Sequence, residues 1–517
     1  MYTRYNRAVR QNGQVFDSMR MPVPRELVRR GYAVAAVDVR GSGASFGRYE
    51  GPFHPQEMRD ATEIMAWFVA QPWCDGNLGM YGGSYLGAVQ LFAAATGSPH
   101  LKAIVPEMAP GDLYAFTWVG GIYRDDFLAH WTALTKMLDT QRAIAPVAAD
   151  ADGSLLEAAI AAHAANRDTV EQYSDLPFRD SVDEESQLAL YPATSTLDHH
   201  ATISRSGVAI YQIAGWLDCF TRDALLLHAN LENPRRIAIG PWFHQERQEF
   251  DDLGEHLRWY DCWLKGIDNG IDEEPPVHYY VVGAPEGQRW RTAAAWPVPA
   301  KRERLYFLPG ADIPAQGSLV PSAPAAGAIP YQVDYSTTCG TGNRWRNGYG
   351  GEKGYADLAQ NDAKGISFTS SPQAEAREVI GHPLVTLWIA SNATDGDFFV
   401  YLEEVEPDGF SRYVTEGALR ASHRAVQEPP YDCLGLPWHR SHAGDAEPVA
   451  PGVPVALSLD LQPTAWYFDA GNRLRVTITG ADAGNCATPI LDPAPTVTLH
   501  TGAARASFVE LPFAIER

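Results

Sequence analysis

NLGMYGGSYLGAVQLFAAAT, residues 77–96, decides the fold. Residues 77–82 form a short apolar run bounded by glycine, which reads as a buried strand, and residues 87–96 are helix-compatible. Ser84 falls at the junction, in a G-x-S-x-x-G frame. Gly82 and Gly87 remove side chains that would collide where a strand turns sharply into a helix, and such a turn holds a serine strained and exposed. A serine among glycines is by itself usually a turn, so its weight comes from what stands elsewhere in the chain.

Outward from Ser84, short apolar runs alternate with helical patterns: YAVAAVDV (32–39), an amphipathic stretch carrying Met58, Ala61, Met65 and Phe68, and a strand around Lys102–Val105. After a gap the pattern resumes with VAIYQIAG (208–215) and RRIAIG (235–240). Five buried strands predict an α/β fold whose mostly parallel sheet is covered on both faces. The gap, 107–206, has helical periodicity in DDFLAHWTALTKML and SLLEAAIAAHAA and reads as a helical cap inserted between two parts of the sheet domain, 1–106 and 207–274. From 275 to 517, short alternating strands such as VHYYVV, LVTLWIA and RLRVTIT predict an all-β sandwich or jelly roll.

Ser84, Asp218 and His244 each follow a predicted buried strand closely, which puts them at the carboxyl edge of one sheet, where open α/β sheets build their sites. Their chain order, Ser, Asp, His, is that of α/β-hydrolase triads. A serine hydroxyl needs an imidazole to take its proton. Of the 15 histidines, only His244 falls just after the last buried strand. Asp218 would accept the other imidazole N–H. Asp223 is the rival acid, but it sits in the helix-like run RDALLLHANL. The backbone N–H of Tyr85 is the natural first donor to an oxyanion.

A formal charge of −22 disfavours nucleic acid and anionic membrane as partners. No metal or cofactor motif stands out: HExxH and a Walker-type lysine loop are absent, and DADGSLLE (150–157) is too short for a calcium loop. The six scattered cysteines read as reduced thiols, and with no signal-like or spanning apolar stretch the expected location is the cytoplasm. A small-molecule ester or amide is the expected partner, and homo-oligomerisation stays open.

The motifs RGYAVAAVDVRGSGASFG (30–47), QPWCDGNLGMYGGSYLG (71–87), AGWLDCF (214–220), IGPWFH (239–244) and WLKGIDNGIDEEPPVHYYVVG (263–283) together resemble the cocaine-esterase-like (CocE/NonD) hydrolases, relatives of the Xaa-Pro dipeptidyl-peptidases. The resemblance implies an α/β-hydrolase domain interrupted by a helical cap and followed by a jelly roll, with Ser84, Asp218 and His244 as triad. It also implies a tyrosine as second oxyanion donor, which TRYNR places at Tyr5, and a substrate pocket to which Trp118, Trp131 and Phe220 correspond by position. The chain departs from the family pattern at its start: the proline of the tyrosine motif is missing, and the family's first two strands and most of the third have no counterpart after Met1. Where amino-acid ester hydrolases carry acidic residues after the triad aspartate, this chain has Cys219, Phe220 and Thr221. The reading is therefore a serine hydrolase acting on apolar or aromatic acyl esters or amides. The alternatives are an Xaa-Pro dipeptidyl-peptidase or aminoacyl hydrolase, and a catalytically impaired hydrolase-like binding protein.

Overall fold

The alternation of apolar runs and amphipathic stretches becomes a parallel sheet sandwiched between helices. The computed structural model describes residues 1–12, 14–140, 143–348 and 352–515. Two short strands, β1 (Tyr2–Thr3) and β2 (Val37–Asp38), pair in parallel. Six longer ones follow: β3 (Leu78–Gly83), β4 (Leu101–Glu107), β5 (Ala209–Gly215), β6 (Arg235–Gly240), β7 (Val277–Tyr280) and β8 (Trp290–Ala293). They form one sheet in the spatial order β8-β7-β6-β5-β4-β3, parallel except for β8. The helices that concern the site are α1 (Pro55–Val69), α2 (Tyr85–Ala95), α3 (Asp125–Thr140), α4 (Thr221–Asn230) and α5 (Asp252–Lys265).

Side-chain alternation along a strand sorts residues to opposite faces. Ile104 of β4 and Ile210 of β5 pack with α2, whereas Ala103, Val105 and Tyr211 pack with Trp259 and Tyr260 of α5. With both faces covered, β5 is buried along its whole length, and α2 is buried over nearly its whole circumference. This is the expected α/β-hydrolase arrangement.

Two strand expectations need correction. YAVAAVDV is strand-like in composition, yet only Val37–Asp38 pairs, with β1. A cavity of ≈ 430 Å³, lined by Val34, Ala35, Val37, Leu78 and Met80 among others, separates this run from β3. Without a neighbour to complete a ladder, an apolar run is not a strand, and β3 is the edge of the six-stranded sheet. Within VHYYVV, expected wholly in the β domain, Val277–Tyr280 form β7 of this sheet, which ends with β8, while Val282 bridges Trp466 of the β domain. Alternation announces a strand but not the sheet it joins.

Beyond β8, thirteen strands join in one largely antiparallel network around a second apolar core, the expected β-rich domain. Among the described residues of 108–206, the regular elements are helices apart from two-residue hairpins, and α3 is the longest of them. α3 turns Phe127, Leu128, Trp131, Thr135 and Asp139 inward. The inserted stretch meets the β domain directly, since the backbone N–H of Arg420 donates to the Gly120 carbonyl at 2.8 Å.

The amino-terminal segment is held by a buried charge pair. The Arg4 guanidinium forks onto both carboxylate oxygens of Asp139, Nη2 reaching Oδ2 at 2.7 Å, and lies 4.3 Å over the Tyr49 ring. Removing one partner of such a pair strands the other charge away from water. Asp139→Ala should therefore lower unfolding free energy by about 3–5 kcal/mol, read from the midpoint of denaturant unfolding. A change below 1 kcal/mol would contradict the buried pairing.

Candidate active site

Ser84 stands in the turn between β3 and α2 with φ 61° and ψ −124°, a backbone conformation that β-carbon-bearing residues rarely adopt. The turn is fastened by its own backbone: the Ser84 N–H donates to the Glu107 carbonyl at 2.8 Å, and the Ser84 carbonyl accepts from Gly87 and Ala88. Gly87 is needed for close packing. A β-carbon there would lie 2.8 Å from Ala109 Cβ and 3.0 Å from the Glu107 carbonyl oxygen, so only glycine lets α2 approach the end of β4. At Gly82, φ is 135° and a β-carbon would meet Leu86 Cβ at 2.8 Å.

His244 and Asp218 come from the loops after β6 and β5. His244 Nδ1 lies 2.6 Å from Asp218 Oδ2, with the two residues 3% and 0% exposed. Asp218 Oδ1 accepts from the Phe220 N–H at 2.9 Å, so the carboxylate is fixed on both oxygens. Behind it the β domain contributes Arg344, whose Nη1 donates to the Asp218 carbonyl at 3.3 Å. His244 Nε2 is buried and has no partner among the described residues, which leaves its lone pair available on the side away from Asp218. The rival acid does something else. Asp223, on α4, accepts from the N–H groups of Gly111 and Asp112, both at 2.9 Å, and burial raises its carboxyl to about 7. It pins the start of the helical stretch and makes no contact with His244.

Tyr5 lies beside Ser84. Its hydroxyl accepts from Trp131 Nε1 at 3.0 Å, and the two residues line one cavity. An indole N–H can only donate, so the Tyr5 oxygen is committed as acceptor on that side and its own proton is free to point towards Ser84. Burial raises the phenol above its ordinary value, which keeps that proton in place. Tyr85, the first residue of α2, has a backbone N–H with no intrahelical partner by position. Its side chain turns away, donating to Glu57 at 2.5 Å, and burial lifts that carboxyl to about 8.

Over Ser84 lies a cavity of ≈ 50 Å³ whose walls include Phe53, Leu113, Phe116, Phe127, Trp131 and Phe220; none of its lining residues is charged. Trp131 and Phe220 line this cavity, and Phe220 packs edge-on to His244 at 5.8 Å. Trp118 does not line it. The helix Leu113–Thr117 presents Leu113, Phe116 and Thr117 to the Ser84 cavity, and at Trp118 the chain leaves the helix (φ −122°, ψ 71°) into a hairpin. That turns the indole towards Tyr123 and a separate, polar cavity bordered by the β domain. Phe53, Phe116 and Tyr173 were not singled out from sequence. Leu113 and Phe116, spaced i, i+3, carry a weak signal for one helix face, whereas Phe53 lies in a loop and carries none.

Asp218, Cys219 and His244 also offer three metal-ligating atoms close together. The set does not suit a metal: burial and Asp218 push the Cys219 thiol far up, which disfavours the thiolate, and the Asp218 oxygens are engaged by His244 and Phe220. The acidic DADG segment is a helix cap, with Asp150 accepting from Leu155 and Leu156. No helix among the described residues is long and apolar enough to cross a membrane.

Residues 1–246 match the family model of the X-Pro dipeptidyl-peptidase (S15 family), and residues 269–510 match that of the X-Pro dipeptidyl-peptidase C-terminal non-catalytic domain. A Mycobacterium bovis protein provisionally named a serine esterase is 36% identical over 94% of this chain and 84% of its own length. Cocaine esterase of Rhodococcus sp. is 26% identical over 88% of this chain and 82% of its own. A CocE/NonD family hydrolase from Staphylococcus aureus superposes with a TM-score of 0.76 at 19% identity, covering 99% of this chain and 87% of that one.

Proposed function

Because the chain belongs to the cocaine-esterase-like (CocE/NonD) serine hydrolases, we propose that it cleaves esters or amides of an apolar or aromatic acyl group through an acyl-enzyme on Ser84. The observation that carries the substrate class is the uncharged lining of the Ser84 cavity, which offers no carboxylate to an α-ammonium group. Burying an unpaired ammonium there would cost several kcal/mol. The stretch 107–206 acts as the cap that supplies most of this wall.

In the proposed reaction the Ser84 oxygen attacks the acyl carbonyl carbon while His244 takes the hydroxyl proton on Nε2. Asp218 holds Nδ1–H in place and stabilises the imidazolium. The carbonyl oxygen gathers negative charge and receives the Tyr85 N–H and the Tyr5 hydroxyl. His244 then protonates the leaving alcohol or amine, and water attacks the acyl-enzyme by the same route in reverse.

Tyr5→Phe should lower kcat about 10²–10³-fold, the usual loss for one oxyanion donor, with KM little changed. Wild-type kcat in that variant would remove Tyr5 from the mechanism. The substrate class is tested by kcat/KM on p-nitrophenyl esters of aromatic and aliphatic acids, their α-amino counterparts, and Xaa-Pro anilides. Preference for the uncharged acyl esters is expected. Preference for free α-amino substrates would overturn this reading in favour of the Xaa-Pro peptidase activity named for several relatives.

A further inference from the structure

A second set of charges, partly buried, lies by the Ser84 turn, and none of its members takes part in the reaction above. It is centred on Glu107, the last residue of β4. The main chain of Glu107 carries Ser84, by the 2.8 Å bond from the Ser84 N–H to its carbonyl. Its side chain ion-pairs with Arg247, in the loop that begins after β6 and carries His244, and its Oε1 lies 3.2 Å from His256 Nε2 on α5. His256 Nδ1 lies 2.7 Å from the Asp252 carbonyl and 3.5 Å from Asp252 Oδ1, and Arg247 Nε is 3.8 Å from the same Oδ1. The next residue on the strand side, Met108, accepts at sulfur from the Gln245 N–H at 3.0 Å. Gln245, directly after His244, has φ 63°. A loop that leaves a strained residue beside its histidine needs something to hold it down.

We infer that Glu107, Arg247 and His256 are positioning residues that clamp the His244 loop onto the seat of Ser84, through one residue whose backbone holds the nucleophile and whose carboxylate holds the loop. The inference rests on Ser84 and His244 as nucleophile and base. With His256 protonated, two carboxylates face two cations and the cluster is neutral; without that proton it carries a net negative charge and Glu107 faces one cation fewer. The groups facing His256 are Glu107 from β4, Asp252 and Tyr260 from its own helix, Arg247 from the loop and Tyr81 from β3, whose ring is 5.8 Å away. Burial opposes the His256 charge, but the neighbouring Glu107 and Asp252 carboxylates outweigh it and raise the imidazole above its ordinary value. Burial likewise opposes the Glu107 charge, while Arg247 and His256 hold its carboxyl down at about 2. The clamp is accordingly whole below about pH 6.5, the ordinary histidine value, and loosens as pH rises through the raised one.

The test is the second-order rate of Ser84 modification by a fluorophosphonate, with kcat and KM on an ester, from pH 5 to 9. Arg247→Met and Glu107→Gln should each slow modification and kcat about 10–100-fold, the cost of misplacing reacting groups by a fraction of an ångström to an ångström, with KM within about threefold. The double variant should be little slower than the worse single one, because both break one link. Arg247→Lys, which keeps one charged contact, should fall between Arg247→Met and wild type. His256→Asn should lose a decline of rate at high pH that wild type has. Arg247 is partly exposed, so its variants carry the test if Glu107→Gln does not fold. Folded Arg247→Met that is modified at the wild-type rate overturns the clamp, even if its melting temperature falls. Wild type that is not modified at Ser84 instead overturns the reading of Ser84 itself.

Discussion

Ser84→Ala should lower turnover by about 10⁶-fold, the loss seen when triad enzymes lose the nucleophile, while leaving the protein folded and its substrate binding intact. The loss is large because nothing else over the cavity is placed to replace the serine: its other walls are aromatic, aliphatic or hydroxyl-bearing, and the Tyr85 hydroxyl is turned to Glu57. His244→Ala should cost about as much, and the double variant little more, since the hydroxyl and imidazole act as a unit. Losses that multiplied independently, measured as kcat on one ester, would show that the two side chains serve separate purposes. The strained backbone at Ser84 adds a second readout. Alanine must adopt the same φ of 61°, so the variant keeps the strain and its stability should stay near wild type.

Asp218→Asn should lower kcat by about 10⁴-fold with the fold preserved, as in triads where the same change leaves the histidine in the wrong tautomer. The geometry makes the loss specific. Asp218 Oδ1 is taken by the Phe220 N–H, so the amide of asparagine must place its NH₂ towards His244, where the carboxylate now sits 2.6 Å from Nδ1. That NH₂ would donate to Nδ1, drive the imidazole proton to Nε2 and leave Ser84 without an acceptor. Asp223→Asn makes the contrast. It disturbs the Gly111–Asp112 anchor and should alter stability and KM with a far smaller loss of kcat. If the two variants lost equal kcat, the assignment of Asp218 over Asp223 would fail.

The sheet positions were legible because buried parallel strands announce themselves as apolar runs and their carboxyl ends are where loops gather. Residues 84, 218 and 244 follow three such runs, and in the structure they follow β3, β5 and β6. What composition could not convey is partnership. YAVAAVDV has strand-like residues but pairs over only two of them, and VHYYVV divides its pairing, Val277–Tyr280 joining the first sheet and Val282 bridging Trp466 in the second. Trp118 shows the same limit at the level of one residue: it sits next to Thr117 in sequence, yet the helix ends between them and the indole faces another cavity. The Glu107–Arg247 pair had no signal at all, because residues 140 apart leave no spacing to read. Tyr5 came from resemblance, and it is held by two contacts from α3 that local sequence does not announce, Asp139 to the neighbouring Arg4 and Trp131 to the Tyr5 hydroxyl.

The account turns on Ser84 being an activated nucleophile. Mass spectrometry of peptides from the folded protein after exposure to a fluorophosphonate measures this directly, since an unactivated serine does not react. One adduct is expected, on the peptide containing Ser84, absent from Ser84→Ala and slowed in His244→Ala. A folded protein without an adduct, or with the adduct on another residue, would contradict it.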